Sequence, residues 1–442
     1  MPSSSGGEAD LGGPPSEAPV ARHLLPDTAA LTASGGLAVG GVDVVALAEE
    51  FGTPLFVYDE AALRARCREV LSAFGPGSAY ATKAFLCRAM AELAIGEGLQ
   101  LDVSTDGELG VALAAGAEPD DIVFHGNNKS EGELATAVGL GVGRLAVDSF
   151  DEVDRLTRLL EARRHGAHQK ILVRVNPGIE AHTHEFVSTG QEDSKFGFSV
   201  ASGAARVAIN ALRGLPGGEV VGVHAHIGSQ IQRLTSFERL AEILAPIVLA
   251  NGLAELCVGG GLGVAYLSGE SAPTISEWGA TVRASCARAG LGPAVRITAE
   301  PGRSVVATAA MTCYRVGTIK ELPGIRNYVA VDGGMSDNPR PVLYGSGYEA
   351  FLPRAVGAER PYAARIVGKH CESGDVVVAE ARLPRDVAVG DVLVTPVTGA
   401  YGFSMASNYN RVGRPPVVFV HEGRARLVVR RETVEDLLRL ES

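Results

Sequence analysis

Lysine is the scarce residue of this sequence. Of 40 cationic side chains only six are lysines, at Lys83, Lys129, Lys170, Lys195, Lys320 and Lys369. Chemistry that needs a primary amine therefore has a short list of candidates. Cysteine is also sparse: the six, Cys67, Cys87, Cys257, Cys286, Cys313 and Cys371, include no CxxC pair and none beside a histidine at zinc-finger distance. That argues against a structural metal and for reduced, mostly buried thiols. Positive charge is in deficit, with 40 Lys+Arg against 51 Asp+Glu and a formal charge of −11. Nucleic acid and anionic membrane, which both want a basic face, are disfavoured as partners. Long apolar runs are missing, since Gly or charge interrupts each one well short of a membrane span. A basic stretch followed by an apolar one is missing at the start, so the cytoplasm is the expected compartment. Collagen-like, coiled-coil and wholly disordered chains are excluded by composition.

What is present suffices for two or three domains and a core able to enclose a pocket: 442 residues, 46% of them hydrophobic. Residues 1–35 open with SSSGGEADLGGPPSEAP and are expected to form a disordered tail. Residues 36–50 hold a strand-like stretch, Gly36–Val42, and a helix near Val44–Glu50. From there to about residue 310, short β-branched runs alternate with Ala/Leu-rich stretches of helical period. The eight expected strands are Ser78–Lys83, Leu101–Val103, Ile122–His125, Leu145–Val147, Ile171–Val175, Val220–His226, Leu256–Val258 and Val295–Ala299. Eight β-then-α units suit a closed (β/α)8 barrel over 51–310, although an open doubly wound sheet has the same alternation. Nearly every strand ends in a polar or glycine cluster, and a barrel brings such ends together on one rim. Over 311–442 the pattern changes to alternating strands separated by Gly, Pro and Asp turns, as in an antiparallel β-domain. The fold class expected is α/β: a barrel plus a C-terminal β-domain that takes in an N-terminal strand.

Schiff-base chemistry asks for a desolvated lysine. Lys129, Lys170 and Lys195 have polar neighbours, and Lys320 and Lys369 fall in the β-domain. Lys83 alone ends an apolar strand at the rim (SAYATKAF), where taken singly it reads as a snorkelling side chain. CVGGGLG, Cys257–Gly263, places bare backbone N–H groups after a strand, as a phosphate cradle requires, or else makes a tight turn. HIGSQ, His226–Gln230, adds a flat imidazole and a hydroxyl. EPGR, Glu300–Arg303, adds a carboxylate and a guanidinium. Amine, aromatic stack, carboxylate and phosphate cradle together meet the needs of pyridoxal 5′-phosphate (PLP).

At these residues the chain resembles the fold type III (alanine-racemase-like, group IV) PLP decarboxylases, and among them the diaminopimelate decarboxylase family. The matching stretches are YATKAF (80–85), FHGNNKS (124–130), HAHIGSQ (224–230), GGGLG (259–263), AEPGR (299–303), VDGGMSDNPRPVLYG (331–345), GKHCESGD (368–375) and GAYGFSMASNYN (399–410). EAHTHEF (180–186) is similar to actinobacterial members. The resemblance spans roughly residues 40–440. It implies removal of CO2 from meso-diaminopimelate to give L-lysine, the last step of lysine biosynthesis, by a head-to-tail homodimer with shared active sites.

Carried over position by position, the resemblance makes Lys83 the covalent anchor of PLP and His226 the group stacked on its ring. Glu300 becomes the partner of the pyridine nitrogen, in the turn that continues through Pro301 and Gly302 to Arg303. Ser229, the amides of Gly259, Gly260 and Gly261, and Tyr401 would hold the phosphate. Arg303, Arg340, Tyr344 and Tyr401 would meet a distal carboxylate, for which the guanidinium fork is suited, and Glu372 a distal ammonium. Cys371, flanked by polar and charged neighbours that can tune a thiol, would protonate the carbanionic carbon. No metal is expected. One departure stands out: relatives often carry Gly-Pro shortly after EPGR, where this chain reads SVVATAAM (304–311), at the junction of the domains. Another decarboxylase of the fold, for ornithine, arginine or a carboxylated polyamine, would not need the Arg340/Tyr344 pair. A non-catalytic PLP-binding regulator would not need Lys83 and Cys371. A racemase would want a Tyr or Lys on the opposite face.

Overall fold

A computed structural model describes residues 18–162, 168–179 and 193–442. The first seventeen residues of the tail and the EAHTHEF stretch lie outside the described residues. The chain divides into two compact units, one of Leu63–Val264 with Ala272–Val306, the other of Met1–Ala62, Ala265–Ser271 and Ala307–Ser442.

The first unit is the barrel. Its strands are Ala79–Ala81, Gln100–Val103, Ile122–Phe124, Arg144–Val147, Gln169–Asn176, Gly218–His224, Glu255–Cys257 and Arg296–Thr298, hydrogen-bonded in chain order with every neighbour parallel. The ring closes through Ala79 N–H to Ala299 O at 3.0 Å and Ala81 N–H to Pro301 O at 3.1 Å. A closed ring leaves no sheet edge, and it separates the barrel from the open-sheet alternative. Five strands contribute Ala79, Val123, Ala146, Leu172 and Cys257 to one buried cluster, a side-chain layer of the kind that fills such barrels.

The intervening helices begin where the sequence supplies caps. Ser130 and Glu133 form a capping box that opens Glu131–Leu140, and Gly141 in the left-handed region (φ 72°) closes it. Thr274 and Glu277 do the same for the start of Ile275–Arg288. Each such cap stabilises its helix by about 1 kcal/mol.

The second unit is built on one large sheet. Its order is Val376–Leu383, Tyr362–Val367, Arg326–Val331, Ala310–Leu322, Leu55–Asp59, Val417–His421 and Arg424–Val429, with Val392–Pro396 also on Ala310–Leu322. Most pairs are antiparallel as expected, but two are parallel: Arg326–Val331 with Tyr362–Val367, and Leu55–Asp59 with Val417–His421. The sheet is therefore mixed.

The N-terminal strand it takes in is Leu55–Asp59, every residue of which is buried between two neighbours. These residues fall within the span 51–310 expected for the barrel, and the structure gives them to the large sheet. The segment Gly36–Val42 instead supplies Leu37–Val39 and part of a separate three-stranded sheet. Nor is the 1–35 stretch a free tail throughout. Arg360 Nε donates to Ala18 O at 2.7 Å, Thr28 Oγ1 donates to Asp59 at 2.7 Å, and Leu24 is fully buried. Apolar burial and these bonds order residues 18–35 despite their small, polar composition. Among the described residues no helix is long and apolar enough to cross a membrane.

Candidate active site

The C-terminal ends of the parallel strands carry the barrel unit's ionisable groups. Lys83 follows Ala79–Ala81 in a single 3-10 turn and is exposed. The desolvation expected of a reactive lysine is therefore absent from the chain as it stands. The buried lysine is Lys129, whose ammonium lies 2.7 Å from Glu152 and donates to Gly126 O at 2.7 Å and Ala146 O at 2.8 Å. Its polar neighbours in sequence pointed to the surface, yet it is locked in a structural ion pair and has no capacity left for chemistry. Lys83 makes no hydrogen bond among the described residues; its charge acts on Asp102, Glu108 and His226.

Opposing it is a held carboxylate. Glu300 follows the last strand, is 6% exposed, and has both oxygens engaged. His125 Nε2 lies 2.9 Å from Oε1 and His224 Nε2 lies 2.9 Å from Oε2. Burial works to raise the Glu300 pKa, but the two imidazoles overcome it and hold the carboxyl well below the usual range. Burial also pushes His224 down to about 4. Its Nδ1 has no hydrogen-bond partner, as suits a neutral ring donating from Nε2. His125 moves the other way: burial opposes its charge, and Glu300 with Asp102 outweighs burial. Asp102 itself is pushed up to about 6, chiefly by burial.

Our reading assigned no role to His125, His224 or Asp102. His125 and His224 stand inside the stretches FHGNNKS and HAHIGSQ, but what they hold is set across a large separation in sequence: both meet Glu300, and Asp102 lies 3.9 Å from His125. The three ligand atoms of His125, His224 and Glu300 lie within 4.8 Å of one another, as two hydrogen bonds to one carboxylate require.

The glycine run and HIGSQ pack on each other. An added Cβ would meet Ala225 O at 2.4 Å from Gly259, Glu300 O at 2.3 Å from Gly260 and Gly228 O at 2.3 Å from Gly261. Backbone approach therefore demands all three glycines. The Gly260 N–H donates to Nδ1 of His226 at 3.2 Å, which fixes that ring's plane and tautomer. Desolvation of the ring, followed by the nearby Lys83 ammonium, holds His226 well below its ordinary pKa. Of the three amides expected to cradle phosphate, that of Gly260 is thus committed to His226, which leaves those of Gly259 and Gly261 for a ligand. Beside Gly261, Arg303 Nη2 donates to Ser229 Oγ at 2.8 Å, leaving the hydroxyl proton available to a further acceptor.

In the β unit, Arg340 opens a short helix, Arg340–Tyr344, and is 5% exposed. Its guanidinium lies 4.5 Å from the Tyr266 ring centroid and 5.5 Å from that of Tyr348, and it donates to the Tyr348 hydroxyl. Burial opposes its charge, and Tyr266, Tyr348 and Tyr401 more than offset that, holding Arg340 above the ordinary arginine range. Among the described residues no carboxylate pairs with it. Tyr401 sits in the left-handed region (φ 59°), and Tyr344 is half-buried. Cys371 is the exposed one of the six cysteines, and Glu372 beside it accepts from Tyr409 Oη at 3.4 Å.

The structure thus brings Lys83, His226, Ser229, Gly259–Gly261, Glu300 and Arg303 to one barrel rim, and gathers Arg340 with Tyr401 inside the other unit. The rim's donor set fits PLP: a carboxylate held in place by two imidazoles for a protonated ring nitrogen, a primary amine, a fixed imidazole plane, and a guanidinium with a hydroxyl for phosphate. The family model described as "Pyridoxal-dependent decarboxylase, pyridoxal binding domain" matches residues 60–307. The chain is 46% identical to the diaminopimelate decarboxylase of Mycobacterium tuberculosis, over 96% of this chain and 98% of that one. It superposes on the diaminopimelate decarboxylase from M. jannaschii in co-complex with L-lysine with a TM-score of 0.85 and 31% identity, covering 94% and 98% of the two chains. A lysine/ornithine decarboxylase from Vibrio vulnificus, at 22% identity and a TM-score of 0.73, shares the fold. This chain therefore belongs to the diaminopimelate decarboxylases, a branch of the pyridoxal-dependent decarboxylase family, and its cofactor is pyridoxal 5′-phosphate.

Proposed function

We propose that the protein removes one α-carboxylate of meso-2,6-diaminopimelate as CO2 and releases L-lysine, working as a cytoplasmic homodimer whose active sites draw on both subunits. The observation that carries the substrate class is Arg340. A guanidinium buried among tyrosines with no carboxylate partner among the described residues is costly unless a ligand supplies the anion. Diaminopimelate and lysine keep a carboxylate at the end remote from the reacting carbon; ornithine, arginine and polyamine substrates do not. Tyr344 and Arg303 would assist there, and Glu372 would take the ammonium.

When bound, PLP supplies the electron sink for the pair left behind as the carboxylate departs. Lys83 would carry it covalently, exchange with the substrate amine and expel the product. His226 would press on one ring face, its plane set by Gly260. Glu300 would keep the ring nitrogen protonated, with His125 and His224 fixing both its oxygens. Ser229, the amides of Gly259 and Gly261, Arg303 and Tyr401 would hold the phosphate. Cys371 would deliver a proton to the reacting carbon from the partner subunit.

The test is CO2 release measured across the diaminopimelate isomers, ornithine, arginine and lysine, with Lys83→Ala alongside. Release from meso-diaminopimelate with a visible cofactor band that Lys83→Ala abolishes is expected. Preference for ornithine or arginine refutes the substrate, and an unchanged band in Lys83→Ala refutes the anchor.

A further inference from the structure

Residues Cys371 to Gly374 form an exposed turn after the strand Tyr362–Val367, and the exposed side chains of a loop do not hold position unaided. From below, the turn is braced by buried Asp375, which accepts the N–H of His370 at 2.8 Å and of Met335 at 2.7 Å. From the side, it is held by two adjacent residues, Tyr409 and Asn410. The Asn410 Oδ1 lies 3.2 Å from His370 Nδ1 and accepts the Cys371 N–H at 3.3 Å. Tyr409 Oη reaches Glu372 Oε2 at 3.4 Å, and its ring lies 5.4 Å from that of His370.

The acceptor role of Oδ1 toward Cys371 assigns the atoms on that side: His370 donates from Nδ1, while its Nε2 lies 2.8 Å from Ser336 Oγ. Asn410 adopts φ 50°, ψ 26°, a left-handed conformation that asparagine tolerates better than most L-residues. The backbone bend there turns the carboxamide toward the loop.

We propose that Asn410, with Tyr409, is the positioning residue for the cysteine loop: its one carboxamide oxygen ties His370 and Cys371 in place while Tyr409 orients Glu372. The inference rests on Cys371 and Glu372 serving as proton donor and ammonium partner. A donor must sit within hydrogen-bond reach of the atom it protonates, and displacement by about 1 Å costs on the order of 100-fold.

The glycine variant is the clean deletion, because Gly takes φ 50° without strain and removes only the carboxamide. The aspartate variant keeps the acceptor oxygen. In the PLP-loaded enzyme, Asn410→Gly should lower kcat by about 10-fold to 100-fold with KM changed less than about 3-fold, and Asn410→Asp should recover most of the loss. Tyr409→Phe should instead raise KM while leaving kcat within about 3-fold. Independently of turnover, the alkylation rate of Cys371 by iodoacetamide, followed by mass spectrometry, should change in Asn410→Gly and return toward the parent in Asn410→Asp.

Placed in a Cys371→Ala background, Asn410→Gly should cost nothing further. An equal loss in that background, or parental kcat and alkylation rate in Asn410→Gly, overturns the proposal. Parental turnover by Cys371→Ala alone would refute the donor role of the thiol, and the alkylation rates would still judge whether Asn410 holds the loop.

Discussion

Replacing Arg340 with Met tests the substrate assignment more sharply than any loss of catalysis. Methionine keeps an unbranched stem against Tyr266 and Tyr348 and removes the charge. A buried guanidinium meeting a carboxylate through charge-assisted hydrogen bonds contributes about 2–4 kcal/mol, between the range for a single bond to a charged group and that for truncating one side of a buried pair. At 1.36 kcal/mol per decade this is a loss of about 30-fold to 900-fold in kcat/KM for meso-diaminopimelate. L-Lysine retains the remote carboxylate, so its inhibition constant should rise by a comparable factor. Cadaverine has the same carbon chain with no carboxylate, and its inhibition should move less than about 3-fold, because it never used the guanidinium. The assay is CO2 release at varied substrate with each inhibitor titrated separately. Two results would refute the reasoning: a loss below about 5-fold for both carboxylate-bearing ligands, or an equal loss for cadaverine, which would show general damage to the site.

Two stability predictions follow from buried charges away from the rim. Asp337 accepts from Tyr314 Oη at 2.7 Å and from the Gly334 N–H at 2.9 Å, and burial, followed in the same direction by Asp375 and Asp332, pushes it up to about 7. Its pKa is raised above the unfolded value, so the stability it contributes is full below about pH 4 and is lost as pH rises through 7, on the order of 4 kcal/mol in all. Asp337→Asn should therefore raise the melting temperature relative to the parent by several degrees more at pH 8.5 than at pH 5, and a pH-independent offset in scanning fluorimetry would refute the neutral carboxyl. Lys129→Met should cost about 3–5 kcal/mol by leaving Glu152 buried and unpaired. Lys129→Met with Glu152→Leu should recover part of that in urea unfolding, and a double variant no better than the single one would show that the pair's charge is not what matters.

Much of the barrel was legible because its signal is local. All eight expected strands form, since short apolar runs such as ILV at Ile171–Val173 and helices with caps such as Ser130/Glu133 carry their own instructions. The strand Leu55–Asp59 escaped correct placement for a physical reason. It is buried on both faces, so it lacks the alternation that tells one sheet from another. Lys129 misled for the opposite reason: its neighbours Asn127, Asn128 and Ser130 are polar, while the carboxylate that holds it, Glu152, lies beyond the next helix and strand, on the helix Phe150–Ala162. The site divides along the same line. Lys83, His226 and Glu300 were found by motif, whereas His125 and His224 are single histidines whose purpose exists only once the ring of strands closes on Glu300.

The strand Leu55–Asp59 also sets a timetable for synthesis. Its earliest partner in the large sheet is Ala310, paired with Tyr58 and 252 positions further along the chain (310 − 58). At about 5–20 residues per second a ribosome takes roughly 13–50 s to bridge that gap. Throughout that time LFVYD stands outside the channel with both edges bare and its four apolar or aromatic residues, Leu55 to Tyr58, uncovered. Newly made chains are therefore exposed to strand-mediated aggregation before the barrel is even finished. A circular permutant starting at Leu63, with residues 1–62 appended after Ser442, would deliver this strand together with its partners and should raise the soluble yield.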